Sequence, residues 1–120
     1  MKFETHQINE VKIAEVISED IIINSVDSAV NLLGNLYYQG FDKIIIHEKI
    51  LTPDFFDLKN GMAGDILQKF SNYRMPLAII GDFSKYTSKS VNAFINECNR
   101  GKQINFVNSL PEALKALSNN

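Results

Sequence analysis

A chain of 120 residues, 45% apolar and 22% charged, is long enough for one hydrophobic core and has the composition of neither a disordered tail nor a fibrous repeat. Twelve basic residues against fourteen acidic ones leave a formal charge of -2, which excludes the broad positive field that draws proteins to nucleic acid. Cys98 is the single cysteine and only His6 and His47 accompany it, so no disulfide, no zinc-ligand set, no metal and no cofactor are expected, and a reducing, cytoplasmic setting is.

The opening segment MKFETHQIN lacks the apolar stretch of a secretory signal, and no apolar run approaches the length that spans a bilayer, so no membrane association is expected. Val11, Ile13, Ala14 and Val16 are followed by Ser18-Glu19-Asp20 and then by Ile21-Ile22-Ile23, a spacing that predicts a hairpin. From Ser25 the period lengthens. Val26, Ala29, Val30, Leu33, Leu36 and Tyr37 predict an amphipathic helix capped by Ser25 and stopped by Gly40. Lys43 to His47, KIIIH, has no polar alternation and predicts a strand covered on both faces, as in a parallel sheet.

Thr52-Pro53-Asp54 opens a short helical turn containing Phe55, Phe56 and Leu58, closed by Asn60-Gly61. Ala63, Ile66, Leu67, Phe70 and Tyr73 share one helical face, with Gly64 expected to permit close packing, and Pro76 ends the segment. Leu77 to Gly81, LAIIG, predicts a second buried strand. Beyond the Phe83–Lys89 loop, Ser88 caps a helix carrying Val91, Phe94, Ile95 and Cys98, with Gly101 as its stop and Cys98 as an inert buried thiol. Ile104–Val107 is the last strand. Ser109-Leu110-Pro111-Glu112 has capping-box spacing before a final helix with Ala113, Leu114 and Leu117.

The predicted order is β-β-α-β-α-β-α-β-α in a single α/β domain with a mixed, mostly parallel sheet. Two arrangements satisfy it: a three-layer doubly wound sheet, or a sheet with its helices crowded onto one face.

The motifs Phe55-Phe56-Asp57-Leu58, Gly61-Met62-Ala63-Gly64, Leu67-Gln68-Lys69-Phe70-Ser71-Asn72-Tyr73-Arg74, Gly81-Asp82-Phe83 and Asn99-Arg100-Gly101 occur in an order that resembles an uncharacterised bacterial family, domain of unknown function 4180. The resemblance covers essentially the whole chain and implies one compact domain without implying a reaction. More distantly, the succession of elements is similar to the STAS fold of sulfate-transporter tails and anti-sigma-factor antagonists. Phosphoswitch members of that fold carry a phosphorylated serine after the third strand, where this chain has Thr52-Pro53-Asp54-Phe55-Phe56-Asp57 and no serine. The STAS resemblance therefore implies a regulatory or protein-interaction module, without the usual switch.

Candidate chemistry gathers where strands end, because ligands of open parallel sheets bind outside the carboxyl ends of the strands. His47-Glu48 and Asp82 follow two central strands, and their convergence would make a general base with orienting partners, although no motif of catalytic spacing accompanies them. Ser84, Tyr86, Thr87, Ser88 and Ser90, with Lys85 and Lys89, form a hydroxyl-rich basic loop before a helix, suited either to capping or to a small anionic ligand. Arg74 and Arg100 close two helices and suit either the free carbonyls there or an acidic partner. Phe55, Phe56, Phe83 and Tyr86 are expected partly exposed on loops, where they would mark an interface with a protein partner or a homodimer.

Overall fold

The computed structural model describes residues 1–118. Strands β1 (Lys2–Ile8) and β2 (Val11–Ile17) form an antiparallel hairpin joined by Asn9 and Glu10. Asn9 has a φ of 55°, the positive value that a two-residue hairpin turn needs at its first central position. There follow α1 (Val26–Tyr38), β3 (Lys43–His47), α2 (Met62–Asn72), β4 (Leu77–Ile80), α3 (Lys89–Gly101), β5 (Ile104–Val107) and α4 (Leu110–Ser118). The five strands lie side by side in chain order, and every pairing after the hairpin is parallel. The element order and the mixed α/β class are those predicted.

The hairpin itself is displaced from its predicted position. Val11–Ile17 pairs with Lys2–Ile8 rather than with Ile21–Ile23. Ile23 makes only a single bridge, to Leu51, and Ile22 and Ile23 both donate to the Ile50 carbonyl at 2.9 Å. The three isoleucines read as a strand because they are β-branched, whereas Ile23 is fully buried in the core and Ile21 is exposed. β1 escapes the apolar pattern because it is an edge strand with much of its length in solvent, where Lys2, Glu4, Thr5 and Gln7 are tolerated.

Alternation along the strands divides the core. Ala14, Val16, Ile44, Ile46, Leu77, Ile79, Ile104 and Phe106 pack with the apolar faces of α1, α2 and α3, while Ile13, Ile45, Ala78 and Ile80 pack with Ala113 and Leu117 of α4. Three helices thus cover one face and one helix the other, between the two arrangements anticipated. Ile44, Ile45 and Ile46 are each at most 1% exposed, so shortening any one to alanine costs about 2–5 kcal/mol. Lys43, buried on the α4 face, donates its ammonium to the Leu117 carbonyl and ties the last turn of α4 to the sheet. Burial pushes the Lys43 ammonium below its ordinary range, against the opposing charge of Asp42.

Most terminal signals act as predicted. Ser25 accepts from Ser28 N at 3.1 Å, Ser28 Oγ accepts from Ser25 N at 3.0 Å, and Gly40 ends α1 at a φ of 86°. Ser109 accepts from Glu112 N at 3.3 Å, but Glu112 accepts from Asn108 N, also at 3.3 Å, so the predicted box closes one residue early. Two glycine expectations are corrected. α3 runs through Gly101 and Lys102 takes the left-handed turn, with a φ of 65°. A Cβ on Gly64 would meet nothing within 4 Å, so close packing does not demand glycine there.

Candidate functional site

The carboxyl ends of β3 and β4 carry a built cluster around Glu48. Glu48 begins a single turn of 3-10 helix directly after β3, and Tyr86 and Lys85 stand at the end of another, after β4. Tyr86 donates its hydroxyl to Glu48 Oε2 at 2.5 Å, and Lys85 Nζ lies 2.8 Å from the same oxygen. Room for this carboxylate comes from Gly81: a Cβ at that position would stand 2.7 Å from both Glu48 Cβ and Glu48 Oε1, and 3.1 Å from Phe83 Cζ. Such approaches are shorter than real Cβ contacts, so glycine is required here by space rather than by backbone angle.

Aromatic rings back the cluster. Tyr86 stacks on Phe56 with centroids 4.5 Å apart, Phe56 meets Phe55 edge to face at 5.0 Å, and Phe83 meets Phe106 at 5.2 Å. Phe55 is fully buried, Phe56 is 8% exposed, and Phe83 and Tyr86 pack against the same core. The expectation of partly exposed rings is thereby corrected for Phe55 and Phe56, which are core residues, whereas Phe83 and Tyr86 are half-buried as expected. These rings lie one on another and anchor the loops after β3 and β4, which gains more from burial than display on a loop would. Burial, the hydrogen bond to Glu48 and the Glu48 charge together push the Tyr86 phenol well above its ordinary value of 10.0.

In front of the cluster lies an open cleft of about 430 Å³. Its lining mixes apolar side chains, Ile21, Leu51, Pro53 and Phe56, with the polar and charged Glu48, Lys49, Lys85 and Tyr86. Lys49 reaches Glu19 at 3.3 Å and is 53% exposed, and Lys85 is 57% exposed, so both cations are within reach of solvent ions.

A second constellation lies across three strands. Glu15, in the middle of β2, has both carboxylate oxygens engaged: Oε1 is 2.9 Å from His6 Nε2 of β1, and Oε2 is 2.7 Å from His47 Nε2 at the end of β3. The Glu15 side chain is 8% exposed, and its position between the apolar Ala14 and Val16 is sustained by these two partners. Burial raises the carboxyl pKa, while the bonds to His6 and His47 and the attraction of both rings lower it, leaving it below its ordinary value of 4.5. Among the described residues no group of three His, Cys, Asp or Glu side chains is placed to hold a metal ion. The two imidazoles bond opposite oxygens of one carboxylate, which makes a strut between strands rather than a cage.

The structure therefore does not join His47, Glu48 and Asp82 into one base. His47 turns to Glu15, Glu48 turns to Tyr86 and Lys85, and exposed Asp82 accepts from Ser84 Oγ at 2.6 Å and Ser84 N at 3.1 Å, bonds that hold its carboxyl below the ordinary range. Within the hydroxyl-rich loop, Ser88 accepts from Val91 N at 3.3 Å and caps α3. Arg100 pairs with Glu97 at 3.2 Å on the surface of α3, and Arg74, at a φ of 54°, lines a shallow groove with Tyr37, Asn72 and Tyr73. Cys98 is half-buried rather than fully buried, and burial raises its thiol pKa, which favours the protonated form.

Sequence reasoning missed Glu15 and His6. The available signal was a carboxylate inside VKIAEVI, a strand whose remaining central residues are apolar: such a charge needs a partner on an adjacent strand. Residues 8–117 match the family model described as Domain of unknown function (DUF4180), and the chain belongs to that family. Comparison with curated proteins and with solved structures yields no match.

Proposed function

We propose that this DUF4180 domain is a non-enzymatic regulatory module, STAS-like in its order of elements, that binds through the cleft in front of Glu48. The observation that carries this reading is the mutual engagement of Glu48, Tyr86 and Lys85 beside Gly81. Acid and base groups at the sheet edge hold one another, and the result is a fixed wall, preorganised for binding. The cleft's volume of about 430 Å³ falls within the range of small-ligand sites. Its chemistry is divided: Ile21, Leu51, Pro53 and Phe56 suit a short apolar body, and Lys49 and Lys85 suit an anionic head. A partner protein satisfies both demands with an apolar side chain next to an acidic one, which is the occupant preferred by a regulatory role.

A second reading, favoured by the cleft's size, is a free small carboxylate as the ligand. Thermal unfolding with phosphate, acetate, butyrate and benzoate tests both, because binding to the native state raises the midpoint by mass action. Butyrate and benzoate raise it more than acetate or phosphate, and Ile21→Ser removes the difference while leaving the unliganded midpoint unchanged, since Ile21 is 48% exposed. His47→Ala and Asp82→Ala lie outside the cleft lining and retain the ligand shift. Equal response to all four anions, or none, overturns the apolar-anionic cleft.

A further inference from the structure

The two edges of the sheet are treated differently. At β5 the outer edge is closed by a side chain: Asn99 of α3 accepts from Phe106 N at 2.7 Å and donates to Phe106 O at 3.3 Å, as a neighbouring strand would. At β1 no other strand of the described chain pairs with the outer edge, and the strand order places β2 on its inner side only.

The groups that β1 offers outward follow from the hairpin. Lys12 of β2 directs both backbone groups towards the β3 side, accepting from Asp42 N at 2.7 Å and donating to Asp42 Oδ2 at 2.8 Å. Gln7, opposite Lys12 in the register, is therefore in a non-hydrogen-bonded pair, and its N–H and C=O point away from β2. By strand alternation the outward set is Phe3, Thr5 and Gln7, while Lys2, Glu4, His6 and Ile8 bond to β2.

We infer that β1 pairs antiparallel with β1 of a second copy of this chain, Thr5 opposite Thr5 across a two-fold axis, extending the sheet through the dimer. Only residues of the outward set can be opposed in hydrogen-bonded pairs, which restricts the register to steps of two. With Thr5 on the axis, Phe3 opposes Gln7 of the second copy and Glu4 opposes His6, a complementary pair in the closer, non-hydrogen-bonded position. Slipping the register by one step opposes Glu4 to Glu4; slipping it the other way opposes His6 to His6. Repulsion opposes the Glu4–Glu4 slip and both slips lose the Glu4–His6 pairs, so the centred register is selected. His6 already bonds Glu15 through Nε2, so Glu4 of the second copy meets the other side of a ring whose orientation is set. The strand carries no proline and spans seven residues, long enough for three paired positions.

A single strand pairing buries less than a standard interface, so the dimer is concentration-dependent, with dissociation in the micromolar range or weaker. Sedimentation equilibrium from about 5 µM to about 1 mM shows monomer passing to dimer, and amide exchange at the high concentration slows by about tenfold or more at Phe3, Thr5 and Gln7. Thr5→Pro removes the N–H on the axis, at a position where it has no intramolecular partner, and abolishes the dimer. Should that variant fail to fold, the exchange of the three amides in the unaltered chain decides alone. Monomer at every concentration, fast exchange at all three amides, or a dimer that persists in folded Thr5→Pro overturns the proposal.

Discussion

Glu15 Oε2 lies 2.7 Å from His47 Nε2, joining the middle of β2 to the end of β3 through a carboxylate that also holds His6 of β1. One buried side chain thereby connects three strands on a face that α4 covers only in part. Replacing it leaves two imidazoles without their acceptor. Glu15→Leu is expected to cost about 1–3 kcal/mol in urea unfolding at pH 7, and Glu15→Gln less, because the amide still accepts from one ring.

The same residue predicts a pH dependence. Its folded pKa lies below the ordinary 4.5, so the folded protein holds the charged form more tightly, and the stabilisation is complete above pH 4.5 and lost as pH falls through the lower folded value. The stability gap between the unaltered protein and Glu15→Gln therefore narrows below pH 4.5. A gap that stays constant down to pH 3 would show that the carboxylate charge contributes nothing.

Gly81→Ala tests the wall of the cleft. The added methyl meets Glu48 Cβ and Oε1 at 2.7 Å and displaces the carboxylate from Tyr86 and Lys85. Overpacking of this kind costs about 1–3 kcal/mol. The Tyr86 phenol, raised by burial and by Glu48, should titrate closer to 10.0 in the variant, read by NMR of the Tyr86 ring. Since its folded pKa is the higher one, this contribution to stability is present below pH 10 and fades as pH rises above it.

At the other edge of the sheet, Asn99→Ala removes both bonds to Phe106. A loss of about 1–2 kcal/mol is expected, with faster exchange of the Phe106 amide and increased light scattering on concentration as the β5 edge opens. Asn99→Asp is worse than alanine, since a carboxylate retains the acceptor for Phe106 N but repels the Phe106 carbonyl.

Lys43→Met keeps the buried stem and deletes the bond to Leu117. The expected effect is confined to α4: backbone amides of its last turn exchange faster, while those of β3 and β4 do not. Equal acceleration throughout would show that the tether supports the whole sheet.

How far these features were legible in the sequence depended on whether their signal is local. KIIIH and LAIIG declare strands buried on both faces, and Ser25, Gly40 and Ser88 declare helix ends, because burial and capping act within a few residues. β1 was not legible as a strand, since an edge strand with an open face needs no apolar run, and the Ile21–Ile23 run offered a stronger but misleading β signal. The site was hidden for a different reason. His47 and Glu48 are adjacent in sequence, yet one turns to Glu15 and the other to Tyr86, a separation produced by the end of a strand and visible only in three dimensions. Gly81 reads from the sequence only as the end of the LAIIG strand; that it makes space for Glu48 depends on a contact between segments 33 positions apart.

Titration of the isotopically labelled protein with butyrate, followed by amide and methyl NMR, reads whether the cleft before Glu48 binds an apolar group bearing an anion. Saturable shifts centred on Ile21, Lys49, Leu51, Lys85 and Tyr86 are expected, weakened in Lys85→Met and absent in Ile21→Ser. Shifts that do not saturate, or that centre on Ser88 and Ser90 or on Arg74 instead, would contradict it.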